Sequence, residues 1–328
     1  MSIVVTGGAG YIGSHTVQAI VEQRKEVIVI DNLSTGHQES ILEAKFVKCD
    51  IKDKDKLSDI FEKYKPEAVI HFAASSLVGE SMHSPEKYYS NNVMGTLSLL
   101  EVMLEHKVNK IVFSSTAATY GDPIRTPISE FESSHPTNTY GETKLAIERM
   151  MHWFEVAHGI KFVALRYFNA AGAHPTHNIG EDHTPETHLI PIVLQVAMNQ
   201  RPHISVYGND YDTKDGTCIR DYIHVCDLAN AHVKAVQYLI NDNPSAILNL
   251  GNGEGYSVEE IVQAARNVTG HDIPAIIENR RAGDPAILIA DATKARELLG
   301  WSPRWTNIED IISSAWKWHK NNPHGYKK

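Results

Sequence analysis

Short, continuous apolar runs alternate with helix-like segments through the first half of the chain. Continuous apolar strands are typical of a parallel sheet that is buried on both faces. The alternation of strand and helix predicts a doubly wound α/β fold of the Rossmann type. The predicted strands are Ile3–Val5, Val27–Ile30, Ala44–Val47, Ala68–Phe72, Lys110–Ser114 and Phe162–Leu165, and the predicted helices are Tyr11–Gln23, Leu57–Tyr64 and Asn91–His106.

The pattern changes after Gly172. Histidine, proline and acidic residues cluster over residues 173–186, and a short strand is predicted at His203–Tyr207. Further helices are predicted at Val225–Ile240, Ser257–Thr269 and Thr293–Leu299.

We therefore expect two domains. A Rossmann domain that binds a dinucleotide covers residues 1–169, and the segments near 217–250 return to it. A smaller α/β domain that binds the substrate covers residues 170–328. The polar end, Asn321–Lys328, is expected to be partly disordered.

One further helix carries the most informative pair of polar side chains. Thr139 and Glu142 have the spacing of a capping box and Gly159 is a suitable stop, so Thr139 is predicted to be the N-cap. Tyr140 and Lys144 are four residues apart and share one face of this helix. An ammonium beside a phenol favours the phenolate and lowers its pKa. Such a tyrosine can take a proton from an alcohol as hydride leaves the same carbon, although an exposed helix face can carry the pair by chance.

Composition and charge exclude several classes of protein. The 328 residues are 42% hydrophobic, and 31 basic against 40 acidic residues give a net charge of −9. That balance argues against a protein that binds nucleic acid by neutralising phosphates. Three cysteines without metal-ligand spacing fit free thiols in a reducing cytosol. We expect a cytoplasmic protein without a membrane span, since no apolar run is long enough and a strand comes almost at once, with no signal peptide before it.

A glycine-rich loop joins the first strand to the first helix. Gly7, Gly10 and Gly13 supply backbone freedom and let a pyrophosphate approach the N–H groups of the helix N-terminus. Asp31 ends the next strand, 18 residues after Gly13. A carboxylate there can accept hydrogen bonds from a ribose diol and repels a 2′-phosphate. The loop alone could be a simple turn, as could Asp31 with Asn32, but together they favour a site for NAD over NADP.

Later strand ends add candidate site residues. Asp50 can reach an adenine amine, and Ala73 and Ala74 are small enough for a cofactor to pass beside them. Thr116 can hydrogen-bond a substrate oxygen beside the phenol of Tyr140. Each residue alone suits a turn or a cap, but their joint occurrence in this order is more specific than any one of them.

Motifs along nearly the whole chain carry a resemblance to a known family. In the first half they include Thr-Gly-Gly-Ala-Gly-Tyr-Ile-Gly-Ser-His and Tyr-Gly-x-x-Lys, and in the second half Arg-Tyr-Phe-Asn and Arg-Asp-Tyr-Ile-His-Val. The chain resembles the extended short-chain dehydrogenase/reductase superfamily and, within it, the UDP-glucose 4-epimerase family. The motifs of the second half are the more specific ones.

The resemblance implies a mechanism. Hydride passes from sugar C4 to bound NAD while Tyr140 takes the proton of the 4-hydroxyl, a 4-ketose forms and turns over, and hydride and proton return to the other face. Lys144 would lower the pKa of Tyr140 and reach the nicotinamide ribose, and Thr116 would hydrogen-bond the 4-oxygen. NAD would stay bound as a prosthetic group.

Binding residues are also implied by the resemblance. The cofactor set is Gly7, Gly10, Tyr11, Ile12, Gly13, Asp31, Asn32, Asp50, Ile51, Phe72, Ala73, Ala74, Asn91, Tyr140, Lys144 and Phe168. The UDP-hexose set is Thr116, Asn169, His188, Leu189, Ser205, Tyr207, Arg220, Arg281 and Asp284. The two guanidinium groups suit a pyrophosphate bidentately. Dimers are usual in the family, with helices Asn91–His106 and Thr139–His158 forming a four-helix interface.

The chain departs from the family pattern at four positions. Thr116 replaces a serine and keeps its hydroxyl. Ser76 stands where some members have a lysine near the cofactor phosphates, and His188 stands where some have an asparagine at the substrate. Leu288 replaces a bulky tyrosine of some members, which suggests the hypothesis that an N-acetyl group at sugar C2 is accepted.

Four alternatives compete with an epimerase. A 4,6-dehydratase or decarboxylase needs acidic groups just after Thr116, where Ala117 and Ala118 stand. An ordinary dehydrogenase needs exchangeable cofactor, and a non-catalytic NAD sensor can lose the Tyr/Lys pair that this chain keeps. A zinc enzyme is suggested by the 18 histidines. However, His174 and His177 lie in a turn-like segment with no carboxylate or cysteine constellation expected around them, so no metal site is predicted.

Overall fold

The computed structural model describes residues 2–281 and 284–326. Its strands are β1 (Ser2–Thr6), β2 (Glu26–Asp31), β3 (Lys45–Lys48), β4 (Ala68–His71), β5 (Lys110–Ser114), β6 (Lys161–Tyr167), β7 (Asn169–Ala171), β8 (Ile204–Tyr207), β9 (Ile219–Arg220), β10 (Tyr222–His224), β11 (Ala246–Leu250), β12 (Tyr256–Ser257), β13 (Ala275–Glu278) and β14 (Ile287–Leu288). Its helices are α1 (Tyr11–Glu22), α2 (Lys54–Tyr64), α3 (Val78–Ser81), α4 (Pro85–Tyr88), α5 (Gly95–Glu105), α6 (Thr139–His158), α7 (Leu189–Ala197), α8 (Val225–Ile240), α9 (Val258–Thr269), α10 (Thr293–Leu299) and α11 (Ile308–Asn321).

A seven-stranded parallel sheet forms the centre of the molecule, with strand order β11-β6-β5-β4-β1-β2-β3. The chain runs outward from β1 to β3 and then returns to β4 on the other side of β1, which is the reversal of a doubly wound fold. Val5 and Val29 face a core shared with α1 and α8, whereas Val4 and Ile28 face a core shared with α2, α5 and α6. The predicted Rossmann fold is confirmed, and the continuous apolar strands are explained by burial on both faces.

A smaller layer packs beside the carboxyl edge of this sheet. Helices α7, α9 and α11 share an apolar core that includes Val193, Ile261 and Ile311. Short sheets lie against it, with strand orders β10-β7, β12-β9-β14 and β13-β8. Among the helices of the described residues, none combines the length and the apolar content needed to cross a bilayer.

Four helices were not predicted, namely the one-turn helices α3 and α4 and the longer helices α7 and α11. Helix α11 buries Ile308, Ile311, Ile312, Ala315 and Trp318, which recur at the spacing of an amphipathic helix, so the sequence did carry this signal. Helix α7 is apolar on nearly every side because it lies inside the smaller layer. A short run of that kind cannot be told from a buried strand by periodicity alone.

Two helix starts differ from the prediction. The N-cap of α6 is Asn138 and not Thr139, because the Asn138 side chain accepts the Gly141 N–H at 2.8 Å. The predicted helix from Asn91 begins instead as a π-helical stretch, Tyr89–Met94, before α5.

The expectation that the chain end is partly disordered is wrong as far as Tyr326, which packs against the rest of the protein. Tyr326 is buried, its N–H donates to Asp182 Oδ2 at 2.8 Å, and its hydroxyl accepts the Gly180 N–H at 3.0 Å. Lys327 and Lys328 lie outside the described residues.

Candidate active site

The carboxyl ends of the parallel strands bring most of the predicted site residues to one edge of the sheet. The glycine loop follows β1, Asp31 ends β2, Asp50 and the buried Ile51 follow β3, and Phe72, Ala73 and Ala74 follow β4. Thr116 follows β5, and Phe168 and Asn169 follow β6. The strand order reverses between β1 and β4, which is where ligands bind in open α/β sheets.

The glycine loop is packed too tightly for side chains at two positions. Gly7 has φ +72°, and a Cβ atom there would lie 2.5 Å from the Ala73 nitrogen. A Cβ on Gly13 would lie 2.2 Å from the Gly7 carbonyl oxygen. Gly10, which has no side chain, is the N-cap of α1 and leaves the first N–H groups of the helix open to a ligand. Tyr11 fixes the loop from the far side by donating to the Gly172 carbonyl at 2.6 Å.

A polar rim continues from the loop across β2 and β3. Asp31 is buried, and its two carboxylate oxygens accept the N–H groups of Ala9 at 3.0 Å and Leu33 at 2.8 Å. Burial raises the pKa of Asp31, while these two N–H groups act in the opposite direction. Asn32 donates to Asp50 at 3.0 Å. Asp31 therefore holds the loop and the turn in place, and each of its oxygens keeps a second lone pair for a ligand.

A buried asparagine that the sequence analysis did not select ties the end of β4 to α6. Asn92 is fully buried and bonds both the N–H and the carbonyl of Ser75, at 2.8 and 3.0 Å. Its amide nitrogen also donates to Thr143 at 3.2 Å, while the predicted cofactor residue Asn91 donates to Asn92 at 3.1 Å. The pair of asparagines inside a helix was the available signal, since asparagine is a poor helix former.

The predicted catalytic residues lie together. The Thr116 side chain lies close enough to the Tyr140 hydroxyl to act on its pKa. The Lys144 ammonium is 5.8 Å from the centre of the Tyr140 ring and donates to the Ser114 carbonyl at 2.7 Å. These contacts place a hydroxyl pair and a buried cation at the end of β5.

The pKa values differ from the sequence expectation. Burial raises the pKa of Tyr140 to about 12, although the Thr116 side chain acts to lower it. Burial also lowers the pKa of Lys144 to about 7, while the Glu148 carboxylate acts to raise it. The expectation that Lys144 lowers the Tyr140 pKa is therefore wrong for the protein alone, because both groups lose the solvation of their charged forms.

A buried ion pair one turn beyond Lys144 was also missed. Glu148 accepts from Arg166 Nε at 2.9 Å, from Arg166 Nη2 at 2.5 Å and from the Ser115 hydroxyl at 2.5 Å. Both charged residues are at most 4% exposed. This network fixes α6 against the ends of β5 and β6, so it sets the position of the helix face that carries Tyr140 and Lys144.

The second half of the chain supplies two arginines. Arg220 donates to the carbonyls of Ile219 and Pro285 at 2.9 and 2.8 Å, and its Nη2 lies 3.7 Å from the Asp284 carboxylate. The Arg281 guanidinium stacks 3.8 Å above the centre of the Tyr207 ring.

Three neighbouring positions complete this side of the site. Arg280 points instead to Asp210, with its Nε 2.6 Å from the carboxylate. Leu288 on β14 pairs with Arg220 on β9. Ser205 is half-buried on β8, two residues before Tyr207.

Asp221 organises the backbone around Arg220. Its carboxylate is fully buried and accepts the N–H groups of Asn252, Gly253 and Ala290 at 2.9, 3.1 and 3.1 Å. Burial raises the pKa of Asp221 to about 6 against these three donors. The Asn169 N–H donates to the Asp221 carbonyl at 3.1 Å, which links the two substrate segments.

Histidines gain partners that the sequence analysis did not predict. His188, directly before Leu189 and α7, lies 2.9 Å from the carboxylates of Glu181 and Glu186. His174 and His177 lie 3.6 and 3.2 Å from Glu22 on α1. No carboxylate or cysteine constellation was expected around those two histidines, and Glu22 was missed because it is distant in sequence.

A dinucleotide-type loop, a Tyr/Lys pair on a helix and a second layer with arginines define an extended short-chain dehydrogenase/reductase. A family model described as GDP-mannose 4,6 dehydratase matches residues 4–315. The UDP-glucose 4-epimerase of Halalkalibacterium halodurans is 58% identical over 326 residues, which are 99% of this chain and 98% of that protein.

Solved structures agree with these matches. One crystal structure of a UDP-glucose 4-epimerase has a TM-score of 0.98 and 57% identity, with 100% of both chains covered. The Bifidobacterium longum UDP-glucose 4-epimerase in complex with NAD⁺ and UDP has a TM-score of 0.94 and 40% identity, over 99% of this chain and 100% of that one. The chain belongs to the broad family of that dehydratase model and, within it, to the UDP-glucose 4-epimerase family.

Proposed function

We propose that this chain interconverts UDP-glucose and UDP-galactose by inverting sugar C4 through a transient 4-keto sugar, with NAD as its resident cofactor. One observation carries the proposal: Tyr140 and Lys144, one turn apart on α6, lie with Thr116 at the same carboxyl edge of the sheet as the glycine loop. Family membership supports the same reaction.

The residues at the switch point fit a dinucleotide. A Cβ on Gly7 or Gly13 would clash with backbone, so the loop keeps a bare surface in front of the α1 N-terminus for a pyrophosphate. Asp31 and Asp50 would hold the ribose and the adenine at the neighbouring strand ends. When bound, NAD supplies a positively charged hydride acceptor that gives the hydride back in the same cycle.

Tyr140 is the acid and base in this proposal. Its phenolate takes the proton of the sugar 4-hydroxyl, and the resulting phenol returns that proton to the 4-oxygen after the sugar has turned. Thr116 orients the 4-oxygen beside that hydroxyl. Lys144 favours the phenolate only while it carries its own proton, and the Glu148 carboxylate acts to keep that proton in place.

The nucleotide end of the substrate would be held by the second layer. Arg220 and Arg281 suit the two phosphates, and Asp284 suits the nucleotide ribose. The remaining predicted contacts are Asn169, His188, Leu189, Ser205 and Tyr207. Anchoring at this end would leave the hexose free to present either face of C4 to the bound NAD while the 4-oxygen stays near Tyr140.

A direct assay separates this reaction from its rivals. Purified full-length protein is mixed with UDP-galactose without added NAD, and UDP-glucose is measured. Sustained conversion is expected because the cofactor stays bound and is restored in each cycle. Formation of a 4-keto-6-deoxy sugar, or dependence on added NAD with accumulation of NADH, would refute the proposal and indicate a dehydratase or a dehydrogenase.

A second substrate class is suggested at Leu288. This half-buried residue pairs with Arg220. Its side chain is smaller than the tyrosine of some members, so it would leave room beside sugar C2. We expect turnover of UDP-N-acetylgalactosamine as well as UDP-galactose. A comparison of initial rates, with Leu288→Tyr as the blocked variant, tests this, and no turnover of the acetylated sugar by the parent protein would rule it out.

We also propose that the protein is a homodimer and that it is located in the cytoplasm. The division into two domains at residue 169 is part of the same proposal. Helices α5 and α6 expose Leu104, Trp153 and Val156, with Trp153 64% exposed. Burial of this apolar patch against a second copy would remove it from water. Light scattering should give twice the chain mass for the parent protein and a smaller mass for Trp153→Glu, and a monomeric parent would refute the dimer.

A further inference from the structure

Four side chains converge in the loop between Gly180 and α7. Glu181, His183, Glu186 and His188 each present one nitrogen or carboxylate oxygen, and these four atoms all lie within 4.8 Å of one another. The sequence pattern Glu-x-His-x-x-Glu-x-His brings them together within eight residues.

Hydrogen bonds and ion pairs join the four side chains, at distances close to the spacing between ligands of one metal ion. His188 Nδ1 lies 2.9 Å from an oxygen of Glu181 and 2.9 Å from an oxygen of Glu186. His183 Nδ1 lies 3.2 Å from Glu181 and 3.8 Å from Glu186. Four ligands at zinc bond lengths in a tetrahedron stand about 3.3 Å apart. Small side-chain rotations would therefore place all four atoms around one ion.

The charges of the group favour a dication. Glu181 and Glu186 are at most 9% exposed, and two buried carboxylates need compensating positive charge. A dication held by two neutral imidazoles would balance the charge of the two carboxylates.

Supporting contacts hold the ligands in position. One oxygen of Glu186 accepts the N–H groups of Thr187 and His188, both at 2.8 Å, which orients the carboxylate toward the histidines. Gly180, directly before Glu181, is anchored by the Tyr326 hydroxyl at 3.0 Å. The His188 side chain is 46% exposed and provides an entry path for an ion.

We propose that Glu181, His183, Glu186 and His188 bind a zinc-class dication through one oxygen of each glutamate and Nδ1 of each histidine. Two nitrogens and two oxygens in a closed set suit zinc better than magnesium or calcium, which prefer oxygen ligands. The His183 ring lies edge-on to Tyr11, 6.2 Å between ring centres. The ion thus fixes the loop before α7 against the glycine loop, as a structural ion rather than a reacting one.

Metal retention by the full-length protein tests this site. Protein treated with a chelator is desalted, equilibrated with zinc chloride, desalted again and analysed by atomic emission. About one zinc per chain is expected for a closed four-ligand site, and Glu181→Gln and His183→Gln should each retain at least tenfold less. Glu22→Gln is the matched control, since it removes the carboxylate beside His174 and His177 and should leave zinc retention unchanged.

Two measurements do not depend on the variants folding well. Zinc chloride should raise the melting temperature of the parent protein, whereas magnesium chloride should not. Cobalt(II) should give the visible absorption of a tetrahedral site. No retained zinc in the parent protein, equal retention by Glu181→Gln, or loss of zinc in Glu22→Gln would each overturn the proposal. Because none of these readouts uses epimerase activity, they stand apart from the proposed function.

Discussion

Replacing Glu148 by glutamine should destabilise the protein strongly, although the shape of the side chain is nearly unchanged. The Glu148 carboxylate accepts three hydrogen bonds, two from Arg166 and one from Ser115. Glutamine has one acceptor oxygen, and its NH₂ group would face a donor of Arg166. The Arg166 cation, 4% exposed, would then remain buried without a counter-charge.

The size of this effect follows from the burial of the pair. Breaking a buried ion pair by removing one partner costs about 3–5 kcal/mol, against a total stability of about 5–15 kcal/mol for a typical protein. A second effect accompanies it, because Glu148 acts to raise the pKa of Lys144. Its removal should lower the Lys144 pKa further and shift the basic limb of the activity profile to lower pH.

Equilibrium unfolding in urea, followed by circular dichroism, measures the loss. Glu105→Gln is the matched control, since Glu105 is exposed on α5 and its change should stay within about 0.5 kcal/mol. If Glu148→Gln and Glu105→Gln had the same unfolding midpoint as the parent protein, the buried pair would not hold α6 in place and the reasoning would fail.

Three further predictions concern the site. Tyr140→Phe should reduce kcat by about 10²–10⁴ while the NAD content per chain stays the same, and near-normal epimerisation would refute its role as acid and base. Asp31→Ala should lower the amount of NAD retained after gel filtration. Unchanged retention would mean that Asp31 holds only the turn and does not bind the cofactor. Lys144 has a pKa of about 7 when folded against an ordinary 10.5. The unfolded chain therefore binds more protons at Lys144 in that window, and this residue makes the free energy of unfolding rise with pH. Lys144→Met should reduce that slope in urea titrations at pH 7 and pH 9, and an unchanged slope would contradict the lowered pKa.

The central sheet and the cofactor edge were predictable because their signals are local. A run such as Ile28–Ile30 is apolar because both faces of the strand are buried, and the strand end then exposes Asp31. The glycines of the loop mark positions where neighbouring backbone leaves no room for a side chain. The close contacts at Gly7 and Gly13 confirm this. Local sequence spacing was thus enough to predict which residues stand at the carboxyl edge.

Partners from distant segments could not be predicted in the same way. Glu148 meets Arg166, Asp221 meets the Ala290 N–H, and Glu22 meets His177 only after the layers pack. The pKa values depend on this packing as well, since desolvation exists only in the folded protein.

The sequence by itself determined the alternation of strands and helices in the first half of the chain, the glycine loop, and the Tyr140/Lys144 pair, because each rests on spacing of a few residues. Only the tertiary structure decided how these groups are charged and held. Burial sets the pKa of Lys144 near 7 and that of Tyr140 near 12, and the Glu148–Arg166 pair positions their helix. The physical reason is that solvation and Coulomb energies depend on distances between residues that lie far apart in the chain.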